Sequence, residues 1–559
     1  MLALIAAVPI AVAFLLLTVF RLSAAKAMGV GWSLATIFGL SVWQMGLQWW
    51  SASVVYGGLQ ALEIALIIFG AILLMNYLDR SGAISTIRWH FTQIQEDRRI
   101  QLLIIGFGFI VIIEGVAGFG TPAALAAPLM IGLGFPPLAA AVFGLWFNAP
   151  NPPFGVAGIP TLQGIGSVIG PVLPPGEGVQ GFLSVVSRWT GITSGLTYTF
   201  WGLLAVWMMI YWFGSEEERS LKKSIKVALP VAPFALALGL TTGLLHSLVA
   251  WFMGPELPDI ISGFAALGLG IVMARKGFLI PEDSWDFIDK GKWSDVWRGG
   301  LNMEESFQEK PKKEMAVLKS WTPYILVAGF LLVTRLPGLG LADLLARYGG
   351  GIGDIFGTDL SFFFKPLYLP GVVPFIPVAI FSGFLYKMER REVLGAWRNS
   401  LKRTLAPAIT LIVAVSMSQI MIQSKHNPLE QLGMMESLSQ ALALGAGGAL
   451  SFVAPWIGAL GGFVTGSNTS SNILFSPLQY GAAREVGLNP AVITSLQNVG
   501  GGIGNLVSVL NVAAISGVIG VTGREGDMIR KTIVPTVVYG CFAGGFGTLL
   551  VYVVAPLFP

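Results

Sequence analysis

The chain has 559 residues, of which 54% are hydrophobic and only 11% are Asp, Glu, Lys or Arg. Soluble domains carry about 25% charged residues, so this chain lacks the charge to cover a water-facing surface. A net charge of +4 spread over loops gives no nucleic-acid-binding face, a single cysteine (Cys541) excludes an intramolecular disulfide, and the three histidines share no metal-ligand spacing.

Apolar runs near the length that crosses a bilayer recur throughout, which predicts an all-α polytopic membrane protein with about twelve spans. The first, Leu2 to Phe20, lacks a positive n-region and reads as a span rather than a cleaved signal. Spans near 29–48 and 57–78 follow. Basic residues then cluster at Arg21/Lys26, Arg80/Arg88/Arg98/Arg99, Arg219/Lys222/Lys223/Lys226, along Lys276 to Lys319, along Lys387 to Arg403, and at Arg524/Arg530/Lys531. The positive-inside rule places all six clusters in the cytoplasm and both termini outside. Parity leaves no net crossing for residues 101–133, so these read as a re-entrant hairpin with its tip at Gly118-Phe-Gly-Thr-Pro122. Residues 138–172 read as a span broken at Asn148-Ala-Pro-Asn-Pro-Pro153, and 190–213 returns.

After spans near 228–250 and 257–275, residues 276–320 hold 17 of the 64 charged residues, which predicts a solvated cytoplasmic connector. Its tryptophans (Trp285, Trp293, Trp297) suggest a helix lying on the headgroups. The second half has spans near 321–336, 366–386 and 404–423, with a Gly-rich cap over 337–365 that includes Gly338. A second hairpin follows over 435–487, turning at Gly466–Asn472. A span over 490–520 is broken at Gly500–Gly504, and a last span covers 533–556. Residues 1–275 and 321–559 therefore read as two inverted-topology repeats.

The polar interruptions carry the functional reading. Hydrocarbon has no water to satisfy loose backbone groups, so unwound chain at membrane depth survives only where it lines a cavity. Paired interruptions in corresponding positions of two halves point to a transporter's binding site. Glu114 is the leading candidate for proton coupling, because hydrocarbon penalises its charged form and a proton can bind and leave there. Glu63, nearer a span end, reads as structural. Gly118, Gly120 and Gly466 let backbone approach a ligand. Thr121, Ser467, Thr469, Ser470 and Ser471 offer hydroxyls, and helices starting at the tips aim positive ends inward, which suits a carboxylate. Asn148, Asn151, Phe154, Asn468, Asn472, Gln497, Asn498 and Asn505 complete the candidate substrate site. No phosphate loop, zinc-ligand pair or nucleophile elbow supports an enzyme or a nucleotide-driven pump. No cofactor or resident metal is expected beyond a coupling ion.

Several of these motifs resemble the lactate permease family. They are Glu114-Gly-Val-Ala-Gly-Phe-Gly-Thr-Pro122, Gly132-Leu-Gly-Phe-Pro-Pro137, Phe154-Gly-Val-Ala-Gly-Ile-Pro160, Gly254-Pro-Glu-Leu-Pro258, Gly466-Ser-Asn-Thr-Ser-Ser-Asn472 and Gly517-Val-Ile-Gly-Val-Thr-Gly-Arg-Glu-Gly-Asp527. The resemblance implies proton-coupled uptake of L-lactate, D-lactate or glycolate across a bacterial inner membrane. It also implies the ion-transporter superfamily, with paired hairpins and often an elevator-like motion, and it leaves room for a homodimer. The chain departs from the family pattern where Asn468 replaces an expected acid, where Asn505 replaces an expected lysine, and where Ala149-Pro-Asn-Pro-Pro153 replaces Thr-Ala-Pro-Val-Ala. Losing both members of a buried charge pair is cheaper than losing one. These departures leave sodium coupling, or a different small organic anion, as the alternative.

Overall fold

The computed structural model describes residues 2–20, 22–91, 93–118, 120–298, 315–335, 339–369, 372–519 and 524–555, without the side chains of Thr18 and Arg88. Arg21, Phe119 of the first tip, residues 299–314 of the connector, Gly338 and residues 520–523 of the last motif lie outside that set. Among the described residues, ten helices are long and apolar enough to cross a membrane, and Leu2–Leu17, Thr121–Gly132, Pro137–Asn148 and Phe375–Leu385 are shorter apolar helices. The chain is an all-α polytopic membrane protein with hairpins and broken helices.

Two helices form its spine. Leu47–Ser81 (35 residues) and Arg390–Gln423 (34 residues) run along one another. Each is about 50 Å long at 1.5 Å per residue, well beyond the apolar stretch expected from sequence, because polar turns extend it past the hydrocarbon. Gly57 permits the close crossing, since a methyl there would lie 2.6 Å from the Ser416 backbone. Polar bonds fix the register: Asn76 Nδ2 donates to Ser400 Oγ at 2.8 Å, and Trp397 Nε1 to Tyr77 OH at 2.9 Å. The span expected over 366–386 contracts to Phe375–Leu385, because Pro366 and Pro374 delay helix initiation. The cap contains a small antiparallel hairpin, Gly350–Ile352 with Phe362–Phe364, lying against the outer turns of the spine.

The first hairpin pairs Arg98–Val116 with Thr121–Gly132. Its two ends meet, as a methyl on Gly134 would lie 3.0 Å from Arg98 Nη2. That base sits among the basic loops. Arg98 pairs with Asp286, while the buried Arg99 binds Asp97, Asp283 and the Val227 carbonyl. Trp285 donates to Glu218, Arg219 lies over Trp297, and Tyr386 OH reaches the Lys319 carbonyl. With Lys531 over the Trp212 and Phe213 rings, five of the six basic clusters thus gather at one end of the molecule. The connector tryptophans are buried against this end, Trp297 packing on Phe213, and the described connector holds only one turn of α-helix (Asp295–Arg298). The headgroup-helix expectation is therefore corrected: these rings pack into the basic end of the bundle.

The second hairpin pairs Met434–Thr465 with Asn468–Glu485. Its base closes through Ser439 Oγ to the Leu478 carbonyl, next to the 170–178 loop and Lys425, just past the Gln423 end of the spine helix whose Arg390 end carries the fifth basic cluster. The hairpins therefore enter from opposite ends.

Two boundaries expected from sequence change. Only Gly466 and Ser467 are unwound at the second tip, because Ser467 caps the next helix and Asn468–Asn472 form its first turns. Gly500–Gly504 are helical as well, and the second break lies at residues 505–508. Those glycines serve close packing: a methyl on Gly501 or Gly504 would strike the Asn468 side chain or the Ala459 carbonyl.

Candidate functional site

Four interruptions converge in the middle of the bundle. At the first tip Gly118 and Gly120 adopt φ of +51° and +74°, and at the second Gly466 adopts +67°, conformations open to glycine without steric cost. The first break begins at the Pro150/Pro152/Pro153 cluster and continues through Val156 and Ala157, held at φ +47° and +51°. A β-branched residue there is strained by on the order of 1–3 kcal/mol, which persists only where packing imposes it. Small residues let the halves touch. A methyl on Gly502 would lie 2.8 Å from the Ala149 carbonyl, one on Gly164 3.2 Å from Thr469 Cα, and one on Gly120 3.4 Å from Asn511 Oδ1.

The space between them is a small cavity of about 30 Å³, closed down to roughly the room of a water. Of the candidate residues, Glu114, Gly120, Asn148, Gly466, Ser467, Asn468, Thr469 and Asn505 line it, with Val156 and Ile159. No Lys, Arg or His is among the lining residues. Helices Thr121–Gly132 and Asn468–Glu485 begin at the cavity, while Pro137–Asn148 and Pro490–Gly504 end there. Two positive and two negative helix ends thus face one space, an arrangement that accepts an anion and a cation together.

Glu114 is the only carboxylate on this wall. Asn148 hydrogen-bonds to it, and Glu114 Oε2 and Asn148 Oδ1 have no partner. Gly155 leaves room for the carboxyl, since a methyl there would collide with Glu114 Oε1. Asn468 and Asn505 sit on the same wall, each with an unpartnered side-chain oxygen.

The remaining candidates lie behind the wall. Asn498 is a hub: its Oδ1 accepts from Asn468 at 3.1 Å and Asn472 at 2.8 Å, and its Nδ2 donates to Thr161 Oγ1 at 2.7 Å. Asn472 also donates to the Pro160 carbonyl at 3.0 Å, tying the second hairpin to the first broken helix. Gln497 donates to Ser471 Oγ, which itself donates to the Gly458 carbonyl. Ser470 gives its N–H to Ser467 Oγ. Gly118 packs on Val156, and Thr121 starts its helix beside the cavity. Asn151 is held by the Phe147 carbonyl and Tyr198 OH, and Phe154 packs its ring on His246 at 4.9 Å. None of these nine touches the cavity. Glu63 accepts from Gln163 at 3.1 Å, linking the spine to the broken helix.

Two buried residues escaped the sequence reading. Asp259 is 1% exposed, with both oxygens unpartnered, and His246 faces it at 3.5 Å. The signal was available for Asp259, an acid opening an apolar span and thus the same anomaly that marks Glu114. His246 could not be linked to it by spacing.

The profile of the L-lactate permease family matches residues 2–554. A putative L-lactate permease of Haemophilus influenzae is 28% identical over 513 residues, covering 88% of each chain. The L-lactate permease of Escherichia coli K12 is 28% identical over 91% of this chain and 88% of its own, and that strain's glycolate permease GlcA is 27% identical over 99% and 96%. Among solved structures, the Alcanivorax borkumensis YdaH transporter superposes with a TM-score of 0.45 at 14% identity, covering 91% of this chain and 88% of its own. With that profile spanning nearly its whole length, this chain belongs to the L-lactate permease family, as a membrane transporter and not an enzyme.

Proposed function

We propose that the protein imports a short 2-hydroxymonocarboxylate, L-lactate, D-lactate or glycolate, with a proton, across the bacterial inner membrane. The relatives' names support the substrate class. The coupling is carried by one observation: among the described residues lining the cavity shared by both hairpins there is a single carboxyl, Glu114, with a free oxygen, and no cationic side chain. An anion held there by helix ends, amides and hydroxyls is balanced by a proton on Glu114, and the pair crosses as a neutral load. The basic clusters face the cytoplasm in this reading, which puts the N-terminus outside. Purified protein in proteoliposomes, given labelled lactate, glycolate, pyruvate and acetate, tests it. Lactate or glycolate should accumulate under an inside-alkaline pH gradient without sodium. Accumulation only with a sodium gradient would replace the proton by Na⁺, held at the two carbonyl-bearing helix ends.

A further inference from the structure

We propose that Asp259 and His246 form a second proton-binding station behind Glu114, so that two protons accompany each monocarboxylate and net transport moves one positive charge. This rests on the reading of Glu114 as a proton carrier. Each proton is taken from water onto its site on one side of the membrane and returned to water on the other. No bond to the substrate is made or broken.

Asp259 opens the helix Pro258–Lys276, and His246 lies on the preceding helix, Ala232–Phe252. Both are buried, neither carboxylate oxygen nor ring nitrogen has a hydrogen-bond partner, and Nδ1 lies 3.5 Å from Oδ1. The imidazole is walled edge-on by Phe154 at 4.9 Å and Tyr198 at 5.1 Å. Beyond His246, which is a counter-charge only when protonated, the described titratable groups around Asp259 give it no fixed positive charge. Glu114, from the first hairpin, is an acid close enough to interact with it, and Tyr198, which interacts with Tyr539, donates its hydroxyl to Asn151. Arg335 is engaged by Glu256 at 3.0 Å. A bare carboxylate here would be an unpaired buried charge beside another acid, among the most costly placements in a protein. One proton taken up by the pair removes that charge and gives the acceptor-only carboxylate a donor.

The pair shares its cover with Glu114. A methyl on Gly115 would lie 2.9 Å from Asp259 Cβ, so the hairpin arm bearing Glu114 is also the lid of Asp259. A movement of that arm that wets one carboxyl wets the other, and the two protons load and leave together.

The test is uptake into proteoliposomes with no pH or sodium gradient and an inside-negative potassium diffusion potential. One net charge raises equilibrium accumulation about fifty-fold per 100 mV, and the wild type should follow that slope. Asp259→Asn should lose the voltage response, with whatever net uptake remains driven by the pH gradient alone. His246→Asn should do the same, and gel filtration checks that each variant is folded. Wild-type uptake that ignores the potential, or voltage-driven uptake unchanged in either folded variant, would overturn the proposal. Glu114→Gln separates the two readings. If its pH-driven accumulation equals the wild type's, the reading of Glu114 fails. If it loses that accumulation while the wild type ignores voltage, only the second station fails.

Discussion

Glu114→Gln should lose one proton's share of the pH-driven accumulation, while counterflow of labelled substrate survives at a lower rate. Each pH unit is worth about 1.4 kcal/mol per proton, or about ten-fold accumulation, and the variant should lose that factor relative to the wild type. The amide is nearly isosteric, keeps an oxygen for Asn148 and fits the seat that Gly155 leaves open. What it loses is the ability to take up and release a proton. Because the hairpins and the Asn498 hub do not depend on that proton, substrate can still bind and exchange. Undiminished accumulation would remove Glu114 from the coupling.

Gly462→Val should prevent stable assembly of the second hairpin, read as loss of monodisperse protein after extraction. Helices Leu450–Thr465 and Pro490–Gly504 meet through facing glycines, and a side chain at 462 would run into the Gly501 carbonyl and lie 3.2 Å from Gly504 Cα. Overpacking usually costs about 1–3 kcal/mol, and here the obstacle is backbone, which has no rotamer to yield. The damage reaches the site, since Asn468 packs on Gly501 and Asn498 rides the same helix. Gly445→Val, at an open helix position in the same hairpin, should be tolerated.

The membrane class was legible because composition alone decides whether a chain can face water. The first break was legible because three prolines in four residues cannot continue a helix. Glycine is ambiguous: it permits unwinding and close packing equally. At Gly500–Gly504 the outcome was decided by Gly458 and Gly462, some forty positions earlier, which no local pattern reveals. Asn468–Asn472 read as unwound because they are polar, yet each of Asn468, Ser471 and Asn472 finds a buried partner and Ser467 caps the turn, so the helix persists. The connector tryptophans were ambiguous in the same way, since an amphipathic ring suits a headgroup or a protein cleft. Asp259 and His246 become a pair only when two helices pack, which sequence spacing does not show.

The central claim is that both halves wall a single substrate cavity. With the one native cysteine replaced (Cys541→Ser), cysteines placed singly at Ile159 and at Thr469 probe its two walls. Saturating lactate or glycolate should slow maleimide labelling at both positions and leave a cysteine at the exposed Gly176 unaffected. Labelling at 159 and 469 that proceeds equally fast with and without transported substrate would contradict the account.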